Sequence, residues 1–139
     1  MRSPGTGSGT GAGMETRAIV VVEDNEPIAR LIQEVLNDVP GYGAVTVPDG
    51  AIALDVIAAV RADLVILDVD LPGLDGFEIY DRLKRQPDTA SIPTLFMSAV
   101  AHEEELERRG IQDYLRKPFD LDDLLAQVDA IFDRAGTPR

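Results

Sequence analysis

Five times over, this sequence sets a short apolar run ahead of a longer stretch with helical spacing, and that alternation constrains the fold more than any other feature. The runs fall at residues 18–22, 44–47, 64–67, 93–97 and 114–116. Near-continuous apolar runs suit strands that are covered on both faces. After the first run, Asn25 or Glu26 caps a helix with Pro27 in its first turn. Its apolar stripe is Ile28, Leu31, Ile32, Val35 and Leu36, spaced i, i+3, i+4, i+7, i+8. Gly41 and Gly43 end it. Asp49 caps a second helix to about Val60, with Ile52, Val56 and Ala59 on one side. Pro72, Gly73 and Gly76 mark a loop before a third helix over 77–85. A weak fourth helix over 103–109 stops at Gly110. Asp120 caps the last, whose stripe is Leu121, Leu124, Leu125, Val128, Ile131 and Phe132. Right-handed crossovers then give an α/β fold, a five-stranded parallel sheet with helices on both faces.

The 139 residues make one domain, and a hydrophobic share of 45% supplies its core. Residues 1–13 are almost all Gly, Ser and Thr and read as a flexible tail, native or added. The domain is expected over 14–135, with a loose end at 136–139. A net charge of −12 argues against direct binding to nucleic acid. No apolar run exceeds five residues, so no membrane insertion is expected. The lack of cysteine excludes disulfides and thiolate metal sites and fits a cytoplasmic protein. His102 is the sole histidine, which argues against a histidine-rich zinc site or a Ser/His triad.

In a doubly wound sheet, ligands sit beyond the carboxyl ends of the strands. The residues there are Glu23-Asp24 after the first run, Asp68 after the third, Ser98 after the fourth and Lys117 after the fifth. Three carboxylates converging on one edge disfavour one another's charged forms. A hard divalent cation resolves that conflict, and Mg²⁺ suits carboxylates, water and phosphate. Lys117 adds a fixed positive charge, and Ser98 a hydrogen bond that can move.

The segments IVVVEDNEP, LVILDVDLPGLDG, FMSA and YLRKPF resemble, in order, the motifs of response-regulator receiver domains of two-component signalling. The likeness covers about residues 17–134 and is closest to a stand-alone, single-domain receiver. It implies a flavodoxin-like strand order 2-1-3-4-5. It implies that Asp68 accepts a phosphoryl group from a histidine kinase or histidine phosphotransferase. Asp24, Asp68 and the Asp70 backbone carbonyl would then bind Mg²⁺, or Mn²⁺ in its place, with Glu23 acting through water. Lys117 and Ser98 would contact the phosphoryl group, and Tyr114 would turn inward as Ser98 moves. Asp70 and Val100 hold the positions expected to modulate the lifetime of the acyl phosphate. The Lys117–Pro118 bond is expected to be cis. Such a chain signals rather than acting as an enzyme, apart from losing its own phosphoryl group, and is expected as a monomer or weak dimer. With no output domain read after residue 134, the output falls to a downstream protein partner or a relay.

Two other functions fit parts of the pattern. Asp68-Val69-Asp70 resembles the opening motif of haloacid-dehalogenase-type phosphatases, but two strand–helix units precede it and that family's later acid pair has no good candidate after Lys117. A receiver-like adaptor that works without phosphorylation is the other. Taken singly, His102 reads as a solvated residue at a helix start, and Glu104→Arg108 and Glu105→Arg109 as exposed i, i+4 pairs. The stretch from Ser98 to Lys117 is about one helical turn, roughly 5 Å, shorter than receivers usually carry. The fourth helix is therefore expected to be short, anchored by Leu106 alone. The signalling face formed by this helix, the fifth strand and the last helix would be altered to match.

Overall fold

The computed structural model describes residues 16–135, so the expected tails at 1–13 and 136–139 lie outside it. In chain order the elements are β1 (Arg17–Val22), α1 (Glu26–Asn37), β2 (Tyr42–Val47), α2 (Gly50–Val60), β3 (Leu64–Asp68), α3 (Gly76–Arg85), β4 (Thr94–Ser98), a 3₁₀ turn (Val100–His102), α4 (Glu103–Arg108), β5 (Tyr114–Arg116) and α5 (Leu121–Arg134). All strand pairs are parallel, in the order β2-β1-β3-β4-β5. That is the expected 2-1-3-4-5 fold. Asn25, Asp49 and Asp75 cap α1, α2 and α3 through their side chains, each taking an otherwise orphan amide. Asp120 stands at the N-cap of α5, but its side chain makes no capping bond.

Alternate residues of each strand feed two separate cores. Ile19, Val21, Ile66 and Met97 face α1 and α5, meeting Ile32, Leu36, Leu124 and Phe132. Val20, Val22, Leu67 and Phe96 face the other side, meeting Ile57, Ile79, Leu83 and Leu106. Each fully buried aliphatic chain contributes about 1.5–3 kcal/mol relative to exposure. Strand β3 is buried along its whole length, which explains its unbroken apolar run.

Two helix faces differ from those the spacing predicts. In α1 the buried residues are Ala29, Ile32 and Leu36, while Ile28 and Leu31 are exposed. The five-residue stripe is wider than the contact, and the small Ala29 brings the helix onto the sheet. In α2 the buried residues are Gly50, Ala53 and Ile57, while Ile52 and Ala59 are exposed. That helix is apolar on nearly every side, so periodicity alone cannot choose its face. The choice falls to the small residues, because a Cβ on Gly50 would stand 2.8 Å from Ile79 Cδ1 and 2.9 Å from the Leu74 carbonyl oxygen. Close approach of α2 to α3 therefore selects the glycine side.

The fourth helix is short, as expected: six residues with Leu106 its one buried side chain. Glu105 pairs with both Arg108 (2.5 Å) and Arg109 (2.6 Å). Arg109 reaches on to Asp81 of α3 at 2.9 Å, and Glu103 to Arg116 of β5 at 2.6 Å.

Candidate functional site

Parallel register brings the strand ends level. Val22 stands beside Leu67, Asp68 beside Met97, and Ser98 beside Arg116. The residues that follow are therefore delivered to one edge. The Lys117 amide bonds to the Ser98 carbonyl at 2.8 Å, which continues the ladder past β5. The Lys117–Pro118 bond is cis.

Carboxylate oxygens of Glu23, Asp24 and Asp68 lie within 4.8 Å of one another. Glu23 and Asp68 are buried and Asp24 is exposed, so the cluster opens to solvent on one side. The Lys117 ammonium sits 3.0 Å from Asp68 Oδ2 and 3.5 Å from Glu23 Oε1. The Asp70 backbone N–H donates to Asp68 Oδ1 at 3.1 Å, and the Asn25 N–H to Glu23 Oε2 at 3.0 Å. Gly76, at the start of α3, donates its N–H to the Val69 carbonyl at 3.0 Å, and a Cβ there would meet the backbone at the end of β3.

Burial pushes the Glu23 carboxyl up to about 7, with the neighbouring Asp68 adding to the rise and the Asn25 amide and Lys117 opposing it. For Lys117, burial disfavours the ammonium, but the hydrogen bond and charge of Asp68, then Glu23, raise its pKa above the usual value. The site thus holds more negative charge than one lysine balances. Its donors are hard oxygens, and a small divalent cation fits both the donor set and the charge.

A pH dependence follows. The native Glu23 carboxyl keeps its proton to about pH 7, whereas an unperturbed one releases it near 4.5. Its stabilising contribution is complete below the lower value and is lost as pH rises through the upper one. In chelator, stability from urea unfolding should fall across that window by on the order of 3 kcal/mol more in the wild-type chain than in Glu23→Gln. Equal slopes in the two proteins would remove Glu23 as the source.

The structure thus brings Glu23, Asp24, Asp68 and Lys117 together. Ser98 is fully buried at the same edge, with its hydroxyl donating to the Ala99 carbonyl at 2.9 Å. Val100 is exposed in the 3₁₀ turn, and Tyr114 is half-buried against the α2–α4 core. The Asp70 carboxylate is bonded to His102 Nε2 at 2.7 Å. His102 is therefore a partner of the site and not a plain solvated helix start. Asp70 and His102 stand 32 residues apart on different elements, so no local spacing could have paired them. Gly76 was legible only as a loop marker.

A family model for the response regulator receiver domain matches residues 19–129. The transcriptional regulatory protein TcrA of Mycobacterium tuberculosis is 38% identical over 141 aligned positions, covering 99% of this chain and 53% of that protein. The DNA-binding dual master transcriptional regulator RpaA of Synechocystis is 34% identical over 119 positions, covering 84% of this chain and 49% of its own length. The chain spans about half the length of these curated relatives. Among solved structures, the receiver domain of the Francisella response regulator 1452 superposes with a TM-score of 0.76 at 28% identity, covering 86% of this chain and 99% of that one. Vibrio cholerae chemotaxis protein CheY4 gives 0.73 at 27%, covering 83% and 98%.

Proposed function

The chain belongs to the response regulator receiver family of two-component systems, and from that premise we propose that Asp68 accepts a phosphoryl group from a histidine kinase or histidine phosphotransferase. The contact of the Lys117 ammonium with Asp68 Oδ2 at 3.0 Å, inside a cluster of carboxylates, carries the reading. Asp68 is the nucleophile, its carboxylate attacking phosphorus in line as the donor's leaving group departs. Lys117 takes a phosphoryl oxygen. Glu23, Asp24 and Asp68, with the Asp70 carbonyl, are the groups that would hold Mg²⁺. When bound, the ion neutralises charge that builds on the transferred oxygens.

Ser98 supplies the switch. Its hydroxyl leaves the Ala99 carbonyl for the phosphoryl group, and Tyr114 follows inward. Phosphorylation thereby favours one of two arrangements of the α4–β5–α5 face, which a downstream protein reads. No helix among the described residues is long and apolar enough to cross a membrane.

Exposure to acetyl phosphate and Mg²⁺, followed by intact mass, tests the proposal. One added phosphoryl group, released by hydroxylamine, is the expected product. No added mass under any donor would leave the phosphorylation-independent adaptor in its place. The metal has a separate readout. Mg²⁺ at about 100 times its dissociation constant should stabilise the fold by ~2.7 kcal/mol. Asp24→Asn should weaken that thermal shift, and an absent shift in the wild-type chain would sink the metal assignment.

A further inference from the structure

We propose that His102 is a positioning residue that holds the Asp70 carboxylate away from the phosphorylated Asp68 and so prolongs the life of the acyl phosphate. The inference rests on the reading of Asp68 as phosphoacceptor. Asp70 is tied to the acceptor by its backbone, through the N–H bond to Asp68 Oδ1 at 3.1 Å. Its side chain, two residues from the acceptor, is turned to His102 at 2.7 Å.

The holder is itself held. The His102 ring meets the edge of Phe77, with centroids 6.1 Å apart at 73°. Phe77 packs against Phe96 of the core at 5.7 Å and carries the Arg109 guanidinium over its ring at 4.6 Å. Arg109 is fixed in turn by Asp81 at 2.9 Å and Glu105 at 2.6 Å. The imidazole therefore keeps its place without help from Asp70. Side-chain exposure of 28% for His102 against 57% for Asp70 shows which partner is anchored and which is free to swing.

Chemistry gives this geometry a consequence. Hydrolysis of the acyl phosphate forms a bond from a water oxygen to phosphorus. The bond from phosphorus to the Asp68 oxygen breaks, and its electron pair returns to the carboxylate. The proton from water passes to a base, and inorganic phosphate leaves. A free carboxylate two residues from Asp68 can orient that water and take that proton. Bonded to His102, it is aimed elsewhere.

The test uses the whole chain, labelled with acetyl phosphate and Mg²⁺, then freed of donor and followed by acid-quenched intact mass. His102→Ala should shorten the life of the label about tenfold, below the roughly hundredfold that a well-placed base supplies. His102→Gln, which keeps a donor to Asp70, should restore most of it. In an Asp70→Asn background, His102→Ala should change nothing. An unaltered lifetime in His102→Ala overturns the inference, as does equal shortening with and without the Asp70 carboxylate, which would mark a merely structural role. Wild-type chain that takes no label removes the phosphoacceptor reading and this inference with it. Labelled chains with matched lifetimes remove the inference alone.

Discussion

Asp68→Asn should take up no phosphoryl group from acetyl phosphate and Mg²⁺, while folding as the parent does. The amide matches the carboxylate in shape, so the backbone bond from Asp70 at 3.1 Å can persist. What goes is the anionic oxygen proposed to attack phosphorus, the one the Lys117 ammonium approaches more closely, at 3.0 Å against 3.5 Å for Glu23. Lys117→Ala is the companion substitution. It removes the single ammonium placed 3.0 Å from the acceptor and leaves the buried Glu23 and Asp68 facing each other unbalanced. Loss of one preorganised charge of this kind costs about 10²–10³ in rate, so uptake should slow by about that factor. Intact mass after timed exposure, with hydroxylamine treatment, reads both. A label that survives in Asp68→Asn would place the acceptor elsewhere.

Gly76→Ala should be the most damaging methyl that can be added near the site. The new Cβ would stand 2.5 Å from the Asp68 carbonyl oxygen, 2.8 Å from Val69 Cα and 3.1 Å from Asp68 C. All three are main-chain atoms at the end of a fully buried strand, so no side chain can turn aside to make room. Either α3 lifts from the sheet or the acceptor moves. Overpacking of this kind costs about 1–3 kcal/mol, and the upper end is expected here, with slower phosphoryl uptake alongside. Gly73→Ala is the control. Gly73 has φ +75° but nothing within 4 Å of a new Cβ, so only backbone strain of about 1–2 kcal/mol applies and uptake should be spared. Urea midpoints and uptake rates on the two variants separate the cases. A Gly76→Ala protein with parental midpoint and rate would contradict the close approach.

Much of this was legible beforehand because the strands declare themselves. Val20 to Val22 and Leu64 to Leu67 have no polar interruption, so their burial on both faces and the gathering of the acids at their ends follow from sequence order. Helix faces were harder. Ile28 and Leu31 look as apolar as Ile32, and only the width of the groove decides which of them is covered. In α2 the deciding residues were Gly50 and Ala53, which carry almost no hydrophobic signal and act by letting the backbone in. His102 gave no signal at all. Its role depends on where α4 packs against Phe77, a tertiary fact that local periodicity does not carry.

The fastening of α4 has an evolutionary side. One buried leucine holds the helix in the core, and its two ends are fastened by charge and ring contacts: Glu103 to Arg116, Arg109 to Asp81 and over Phe77, His102 to Asp70 and the edge of Phe77. Each of these pairs has one exposed partner, and ion pairs open to solvent are worth about 0–1 kcal/mol each, comparable to a single surface substitution. Drift at these few surface positions can therefore shift the balance of the proposed switch, or redraw the α4–β5 surface. At the Arg116 and Asp81 pairs it can do so without crossing either hydrophobic core or the acidic edge. Lineages that duplicate such a chain have a ready route to separate wiring while the chemistry of acceptance stays fixed.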